Sequence, residues 1–379
     1  MQEPRRQQLS SQQDTPLFDL VFQRISKSPD LSINFSEYME MALYHEDHGY
    51  YSRGETRMVG RGGDFYTSVS VGETFGFLLA RRVLIEWQTR FDGSEPIVII
   101  EQGAHDGRLA RDIMSGVREV APHLLGRIEY RIVEPRFRLR EVLQEQLAGE
   151  VSAQSIRVVD SLDQAKAPQG VFLCNELLDA FPVRLLTFQS GRWQEKCVGR
   201  NEAGDGFEWV CRPLPGEFLS LVEELGNDFP EEYVTELCPA VDDWMEEAGR
   251  LFENGLWWII DYGYEREDYY LPQRRTGTLR CYREHRAGED PLVLPGRQDI
   301  TAHVDFTRVE RAAERAGLTR CRFTDQHHFL IEAAKPWLLS LEGGQPDSLT
   351  AKRLRQFQTL THPSLMGQLF KVMELSRGL

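Results

Sequence analysis

Residues 96–112, P-I-V-I-I-E-Q-G-A-H-D-G-R-L-A-R-D, contain the pattern that decides the fold. The four apolar residues 97–100 form a short unbroken run, which predicts a strand buried on both faces. Gly103 and Gly107 follow Glu101, and apolar residues at helical spacing come directly after them. A strand, a glycine turn and a helix together form the unit that binds nucleotides, because glycine lets the backbone approach a ligand at a helix N-terminus.

The glycine spacing indicates what kind of nucleotide could bind. Residues 101–107 read E-x-G-x-x-x-G and lack the third glycine of G-x-G-x-x-G, which disfavours an NAD-dependent dehydrogenase. The variant suits a nucleoside that offers hydroxyl groups and no pyrophosphate, such as S-adenosylmethionine. Glu134 ends the next predicted strand, where an acid can accept hydrogen bonds from a ribose. The alternative, that the two glycines serve only the sterics of the turn, stays open on this pattern alone.

Further strands are predicted along the chain. Three short apolar runs lie at residues 156–160, 170–174 and 255–260. Helical patterns separate them, so we predict a parallel α/β sheet with helices on both faces. Acids collect where these strands end, at Asp160, in N-E-L-L-D-A-F-P (residues 175–182) and at Asp261. We therefore expect the ligand at the carboxyl ends of the strands.

Composition excludes several classes of protein. The 379 residues contain 44 Lys and Arg against 59 Asp and Glu, a net charge of −15 that argues against a nucleic-acid partner. Six scattered cysteines form no C-x-x-C pair, so we predict a reducing compartment with neither disulfides nor zinc. No apolar run is long enough to span a membrane, and the N-terminus resembles no signal peptide. These features predict a cytoplasmic protein.

The histidines His45 and His48 form an H-x-x-H pattern that could mark a metal site. Two histidines on one helix face would need a third ligand close by, and Gly49 predicts that the helix ends here. We predict that the protein binds no metal.

A glycine-rich loop spans residues 54–63 and leads into G-D-F-Y-T-S at residues 63–68. One interpretation is a mobile loop before a core helix that Ser70 or Gly72 caps. The other is a lid that binds the cofactor through Asp64, Thr67 and Ser68, whose hydroxyls and backbone amides can receive an amino-acid carboxylate. The sequence leaves both open.

Five segments describe the predicted organisation. They are a disordered tail (1–15), an N-terminal helical region with the lid loop (16–92), a first part of the core (93–182), an insertion of a β-meander and helices (183–252), and a second part of the core with C-terminal helices (253–379). In the last segment we predict a strand at 328–333 and helices at 351–360 and 366–375.

Eight short motifs occur in order between residues 17 and 375. They are G-D-F-Y-T-S, E-x-G-x-x-x-G, V-E-P, N-E-L-L-D-A-F-P, I-D-Y-G-Y, G-T-L-R-C-Y-R-E-H, Q-D-I-T-A-H-V-D-F and M-G-Q-L-F-K-V. Together they resemble the MidA-type S-adenosylmethionine-dependent methyltransferases. The resemblance implies a Rossmann-like seven-stranded methyltransferase sheet with an N-terminal helical region and an α+β insertion. It also implies S-adenosylmethionine as cofactor and arginine methylation of a protein substrate, by family analogy a respiratory-complex subunit.

The resemblance also implies a set of site residues. The expected cofactor-binding residues are Asp64, Thr67, Ser68, Glu101, Gly103, Gly107, Glu134 and Asp160. The expected catalytic residues are Asn175, Glu176 and Asp179. Carboxylates suit an arginine substrate because they can grip the permanently charged guanidinium bidentately. The alternative for Glu176 and Asp179 is that they cap a helix N-terminus.

Two departures from the family pattern bear on activity. His105 replaces the middle glycine of the loop, and Val69 and Ser70 stand where the family has proline and an acid. If the loop requires positive φ, His105 is strained or its ring enters the cofactor space; if φ is negative, the ring can point away. A catalytically weak or silent relative that acts as a binding or assembly module is therefore the alternative function.

Overall fold

The computed structural model describes residues 15–52, 67–91, 96–148, 156–283, 286–288 and 290–379. The glycine-rich loop at residues 54–63, Asp64 and residues 1–14 of the predicted tail lie outside this part of the chain. Within it, no helix combines the length and the apolar character that crossing a bilayer requires.

Thirteen α-helices are numbered here in chain order. They are α1 (Pro16–Lys27), α2 (Phe35–Tyr44), α3 (Ser68–Val71), α4 (Thr74–Arg90), α5 (Arg108–Val120), α6 (Phe137–Ala148), α7 (Leu162–Ala165), α8 (Leu219–Leu225), α9 (Ala240–Ala248), α10 (Arg266–Tyr269), α11 (Phe306–Arg315), α12 (Gln326–Ser340) and α13 (Ser348–Thr361), all within the described ranges.

Sixteen strands are numbered in the same way. They are β1 (Ser32–Asn34), β2 (Ile97–Gln102), β3 (Ile128–Val133), β4 (Ile156–Val159), β5 (Gln169–Asn175), β6 (Arg184–Gln189), β7 (Arg192–Arg200), β8 (Phe207–Pro213), β9 (Tyr233–Leu237), β10 (Asn254–Tyr264), β11 (Arg280–Arg283), β12 (Arg286–Gly288), β13 (Asp299–Thr301), β14 (Val304–Asp305), β15 (Thr319–Asp325) and β16 (Phe370–Arg377), again within the described ranges.

The central sheet has seven strands in the order β15-β16-β10-β5-β2-β3-β4, and β14 adds beside β10. The strands from β10 to β4 pair in parallel. β16 is antiparallel to both of its neighbours, with Tyr262 opposite Phe370 at one end of its pairing with β10. The predicted α/β fold with a seven-stranded Rossmann-like sheet is confirmed.

Apolar cores cover both faces of this sheet because its strands are apolar at successive positions. Ile99 of β2 belongs to the core formed with α4, α5 and α12. The next residue, Ile100, belongs to the core formed with α9 and α11 on the other face. Because both faces of the sheet are buried, a ligand can reach the strands only at their ends.

Two smaller sheets stand beside the central one. β1, β7, β6 and β9 pair in that order, with β8 on β7, and α1 and α2 pack on this sheet. The other small sheet has the order β12-β11-β13. These elements bring α2, β11 and β13 to the carboxyl ends of the central strands.

Two predicted elements in the C-terminal segment are wrong. Residues 328–333 belong to helix α12, whose buried residues Phe329, Leu330, Ala333 and Ala334 recur at helical spacing after the cap Asp325. Residues 366–375 are not helical as predicted, because 370–377 form β16, which pairs with a strand on each side. The helix predicted at residues 351–360 is confirmed within α13.

The predicted cap of the long helix is also wrong. Glu73 precedes α4 and makes no side-chain cap hydrogen bond, so neither Ser70 nor Gly72 caps it. The capping residue is Thr67, and it caps the short helix α3 in a reciprocal pair with Ser70. A distinct turn of helix, α3, therefore lies between Thr67 and α4.

Candidate functional site

A cavity of about 490 Å³ lies at the carboxyl ends of β2, β3, β5 and β10. Each strand or the loop after it contributes to the wall, with Gly103, Glu134, Glu176 and Tyr262 as examples. The position agrees with the rule that ligands of parallel α/β sheets bind where the strands end.

The loop after β2 has the backbone that its glycines predict. Gly103 has φ +85° and Gly107 has φ +70°, and the Gly107 N–H donates to the Ala104 carbonyl at 2.8 Å. Gly103 lines the cavity, whereas Gly107 precedes α5 and a Cβ there would lie 3.0 Å from the Leu147 side chain. The first glycine thus opens the wall, and the second serves the turn.

His105 adopts the strained alternative. Its φ is +49°, in the left-handed region, and the residue lines the cavity. Histidine tolerates this region better than bulky residues do, but the cost is still of the order of 1–3 kcal/mol. The neighbouring Asp106 is engaged with the helix end, because its Oδ1 accepts the Arg108 N–H at 3.0 Å.

Two buried glutamates stand on the glycine-loop side of the cavity. Glu101 accepts a hydrogen bond from the Tyr130 hydroxyl at 2.7 Å, and burial raises the pKa of Glu101 to about 7. Glu134 accepts the backbone N–H of Arg136 at 2.9 Å and its guanidinium Nε at 2.9 Å. Both carboxyl groups can accept hydrogen bonds from the amino and hydroxyl groups of a nucleoside, so this side fits the expected cofactor.

The raised pKa of Glu101 predicts a pH dependence of stability. Its pKa is about 7 in the fold against 4.5 for the free side chain, so its contribution is complete below pH 4.5 and is lost as pH rises through 7. We expect Glu101→Gln, relative to the parent, to gain about 3 kcal/mol of unfolding free energy between pH 5 and pH 9. Urea unfolding at both pH values measures this difference.

Glu129→Gln is the matched control on the neighbouring strand. Hydrogen bonds from Arg131 hold the pKa of Glu129 below its ordinary value of 4.5, so its contribution is already nearly complete at pH 5 and this variant should lose about the same stability at pH 5 and pH 9. An identical pH dependence for Glu101→Gln and the parent would contradict the buried, protonated state of Glu101.

The loop after β5 is held by a carboxylate from β10. Oδ2 of Asp261 accepts the backbone N–H groups of Leu177, Leu178 and Asp179 at 3.2, 2.9 and 3.2 Å, and Oδ1 accepts that of Tyr262 at 2.8 Å. Asp261 is fully buried. Asp261 therefore satisfies the backbone amides that Glu176 and Asp179 would satisfy if they were caps.

This arrangement leaves the side chains of the loop for the cavity. Glu176 has φ +52° and accepts the Asn175 amide at 2.9 Å. Asn175 Oδ1 is buried and has no hydrogen-bond partner within the described ranges, so it remains an acceptor for a ligand. Asp179 lines the cavity on a 3₁₀ turn, Leu178–Ala180, rather than on the helical turn that its spacing predicted.

The three acids of this loop and of β10 are buried together. Burial and the charge of Asp261 raise the pKa of Glu176 to about 8 and that of Asp179 well above its ordinary range. Burial raises the pKa of Asp261 to about 7, although four backbone hydrogen bonds favour its charged form. We name Glu176, Asp179 and Asp261 the carboxyl cluster. A cation entering the cavity would replace the protons that this cluster holds.

Aromatic side chains complete the wall, and the sequence reading missed most of them. The tyrosines and the histidine that line the cavity include Tyr44, Tyr50, Tyr51, Tyr262, Tyr264, Tyr282 and His303. The Tyr51 hydroxyl donates to Asp299 at 2.8 Å, and the Arg136 guanidinium lies 5.7 Å from the Tyr44 ring centre. Burial lowers the pKa of His303 to about 4, so its imidazole is neutral. Neutral aromatic faces beside carboxylates suit a cationic ligand.

The predicted site residues divide into two groups. Those that line the cavity are Thr67, Glu101, Gly103, Glu134, Asn175, Glu176 and Asp179. The others, Ser68, Gly107 and Asp160, are not part of the wall; Ser68 is buried and donates to Gln326 at 2.9 Å, and Asp160 accepts from the Ser161 hydroxyl at 2.8 Å. Among the described residues, no group of three or more His, Cys, Asp or Glu could hold a metal ion.

Two solved structures resemble the whole chain. One is a superfamily member from Burkholderia thailandensis bound to S-adenosyl-homocysteine, with a TM-score of 0.81 and 34% identity, covering 98% of this chain and 94% of that chain. The native structure of such a protein from the same organism gives a TM-score of 0.80 and 31% identity over the same shares.

Alignments with two curated relatives also cover most of this chain and most of each relative. The Drosophila melanogaster "Protein arginine methyltransferase NDUFAF7 homolog, mitochondrial" is 29% identical over 91% of this chain and 82% of its own. The Homo sapiens "Protein arginine methyltransferase NDUFAF7, mitochondrial" is 25% identical over 95% and 83%. The predicted cytoplasmic location is wrong, because these relatives are mitochondrial proteins.

One family model matches residues 78–324, which include the glycine loop, Glu134, the carboxyl cluster and the neutral His303. Its description is "Putative S-adenosyl-L-methionine-dependent methyltransferase". The match covers more than half of the chain, and the resemblance that the eight motifs suggest is confirmed. This chain therefore belongs to that family of S-adenosylmethionine-dependent methyltransferases.

Proposed function

We propose that this protein transfers the methyl group of S-adenosylmethionine to the guanidinium of an arginine in a protein substrate. The observation that carries the proposal is the carboxyl cluster, two members of which, Glu176 and Asp179, line the same cavity as the glycine loop. The names of the curated relatives, protein arginine methyltransferases, support it.

On the glycine-loop side, we assign the cofactor to Glu101, Gly103 and Glu134. The bound cofactor supplies a methyl group on a positively charged sulfur. Glu134 is placed to accept hydrogen bonds from the ribose, and Gly103 leaves room for the chain that carries the sulfur. We retain Asp64, Thr67, Ser68, Gly107 and Asp160 as supporting positions in this proposal.

On the other side, Glu176 and Asp179 would grip the guanidinium, and Asn175 Oδ1 would accept one of its N–H groups. Alignment of the guanidinium nitrogen with the methyl group is the main demand of this displacement. The nitrogen that gains the methyl group must release one proton. A carboxylate of the cluster, with its raised pKa, is suited to hold that proton.

The finer features of the proposal come from the family resemblance. The protein substrate would be a subunit of a respiratory complex. The core, residues 93–182 and 253–379, would hold the cofactor together with Asp64, Thr67 and Ser68 of the helical region at 16–92, while the insertion at 183–252 would shape the substrate side.

A second candidate, a silent relative that binds without catalysing, has its own supporting observations. Arg136 engages both carboxyl oxygens of Glu134, at 2.9 and 3.2 Å, and would have to share that carboxylate with the ribose. His105 occupies a left-handed backbone position on the cavity wall. Both features would weaken cofactor binding rather than change the fold.

Mass spectrometry after co-expression with the respiratory-complex subunits decides between the two candidates. We expect methyl-arginine on one subunit with the parent protein and none with the Glu176→Gln variant. Titration with S-adenosyl-homocysteine should show that both proteins bind the cofactor product. Cofactor binding by the parent without methyl-arginine on any subunit would contradict the proposed catalysis and favour the silent relative.

A further inference from the structure

Two arginines near the cavity, Arg274 and Arg280, have no carboxylate partner within the part of the chain that the structure describes. Arg280 Nη1 donates to the Leu279 carbonyl at 2.7 Å, and Arg274 Nη2 donates to the Asp268 carbonyl at 3.0 Å. Acidic residues outnumber basic ones by 59 to 44, so a cation without an acidic partner is unexpected. The two charges are therefore available to an external anion.

The positions of these arginines place them at the cavity. Arg280 is exposed and forms part of the cavity wall, and it pairs across β11 and β13 with Thr301, which is also in the wall. The Arg274 guanidinium lies 4.3 Å from the ring centre of Tyr264, another wall residue. We call Arg274 and Arg280 the basic rim.

The basic rim belongs to the end of the cavity that holds the carboxyl cluster. Tyr262 directly follows Asp261 of the cluster, and the His303 ring lies 6.2 Å from the Tyr262 ring and 5.3 Å from the Tyr264 ring, measured between ring centres. The charges of both rim arginines contribute, after burial, to the lowered pKa of His303. These interactions join β11, Tyr262 and His303 into one neighbourhood.

The glycine-loop end has different charged neighbours. The pKa of His105 is lowered by burial, and the charges that act on it come from Asp106, Arg136, Arg108 and Glu134. Arg136 donates to Glu134 at 2.9 Å, so the glycine-loop end has a cation of its own. An anion held by the basic rim would therefore lie beside the substrate and away from the ribose site.

The backbone that carries Arg280 is held by a buried carboxylate from the insertion. Glu236 of β9 is 2% exposed and accepts the N–H groups of Thr278 and Leu279 at 2.8 and 2.9 Å. The Thr278 hydroxyl oxygen in turn accepts the backbone N–H of His303 at 3.0 Å. The start of β11 is thus fixed relative to the cavity, as a recognition element must be.

We infer that Arg280, together with Arg274, binds an acidic side chain that lies within a few residues of the target arginine in the protein substrate. The inference rests on the proposed function. A segment that carries both charges is complementary to the site, because the carboxyl cluster receives its arginine and the basic rim receives its carboxylate. Lysine in place of the acid would be repelled by the rim.

Peptide binding to the protein saturated with S-adenosyl-homocysteine tests this inference. The probes are three acetylated nonapeptides with a central arginine and, on both sides, glutamates, glutamines or lysines. At low salt we expect the glutamate peptide to bind the parent about ten times more tightly than the glutamine peptide, and the lysine peptide to bind most weakly. Arg280→Gln should remove most of this preference, and Arg280→Glu should favour the lysine peptide.

Arg275→Gln is the matched control, since Arg275 is one residue from Arg274 but its guanidinium donates to the Glu231 carbonyl at 2.9 Å and it is not part of the wall. It should keep the parent's preference for glutamate. Equal binding of the glutamate and glutamine peptides by the parent would overturn the inference.

Two other outcomes would also overturn it, for different reasons. Loss of S-adenosyl-homocysteine binding in Arg280→Gln would assign Arg280 to the carboxylate of the cofactor. A glutamate peptide that binds equally well with citrulline in place of its central arginine would contradict the proposed function itself, and the inference with it.

Discussion

Glu176→Gln is expected to lower kcat/KM for methylation of an arginine substrate by about 10²-fold or more, while the Kd for S-adenosyl-homocysteine changes less than twofold. The substitution keeps the size of the side chain and its hydrogen bond with Asn175, but it removes the charge that faces the guanidinium. The remaining charge of a buried ion pair then lacks its partner, which is costly.

The pH dependence of the reaction separates this role from a structural one. The pKa of Glu176 is raised to about 8, so at lower pH the guanidinium must displace a proton from the cluster before it binds. We expect kcat/KM of the parent to rise from pH 6 to pH 8, and to rise less in Glu176→Gln. Parallel loss of cofactor affinity, or a lower melting temperature as the only effect, would contradict the substrate role.

Asp261→Asn is expected to have the largest effect on stability, a loss of about 2–4 kcal/mol of unfolding free energy. Four backbone N–H groups donate to the two carboxyl oxygens of Asp261, and an asparagine amide offers them only one oxygen. At least one buried N–H group would then face an NH₂ group. Because the turn that carries Glu176 and Asp179 depends on these bonds, methylation should fall together with stability.

Hydrogen exchange locates the effect of Asp261→Asn. The amides of Leu177, Leu178 and Asp179 should exchange faster in the variant than in the parent, whereas the amides of β5 should change little. Asp305→Asn is the control, because Asp305 accepts one backbone N–H, from Arg308, and one hydroxyl, from Tyr270, and asparagine can serve as such a cap. Unchanged exchange at the three amides would contradict the clamping role of Asp261.

Local pattern was enough for the main elements of the fold. The strand, glycine turn and helix at residues 96–112 are all present, because a doubly buried strand and an amphipathic helix each have a distinct pattern. The same rule failed for β16, which is buried on both faces but whose apolar run is interrupted by Glu374, an acid that pairs with Arg82 of α4 at 2.9 Å. Of its two partners, β10 is distant in sequence and β15 is separated from it by the helices α12 and α13. Only the assembled sheet therefore decides that these residues form a strand.

The sequence of α12 did contain a signal that could have corrected the prediction. Asp325 is a typical N-cap residue, and its side chain accepts the backbone N–H of His328. The apolar residues that follow recur at helical rather than alternating spacing. The preceding strand β15 obscured this boundary, since strand and helix follow each other without a turn.

For the site, the sequence was enough to predict that Glu101, Glu134 and Glu176 lie close together, because each stands at the end of a predicted strand. The carboxyl ends of parallel strands meet on one side of a sheet. The sequence could not show that Asp261 holds the turn of Glu176, because that contact joins residues more than eighty positions apart. Tertiary structure alone also brought Tyr51 of the N-terminal region to Asp299, and Arg280 to the cavity wall. The sequence pattern of the central strands is local and recurs along the chain, so it can be recognised without the structure. The cavity, in contrast, is formed by side chains that are distant in sequence and that meet only when the two small sheets pack beside the central sheet.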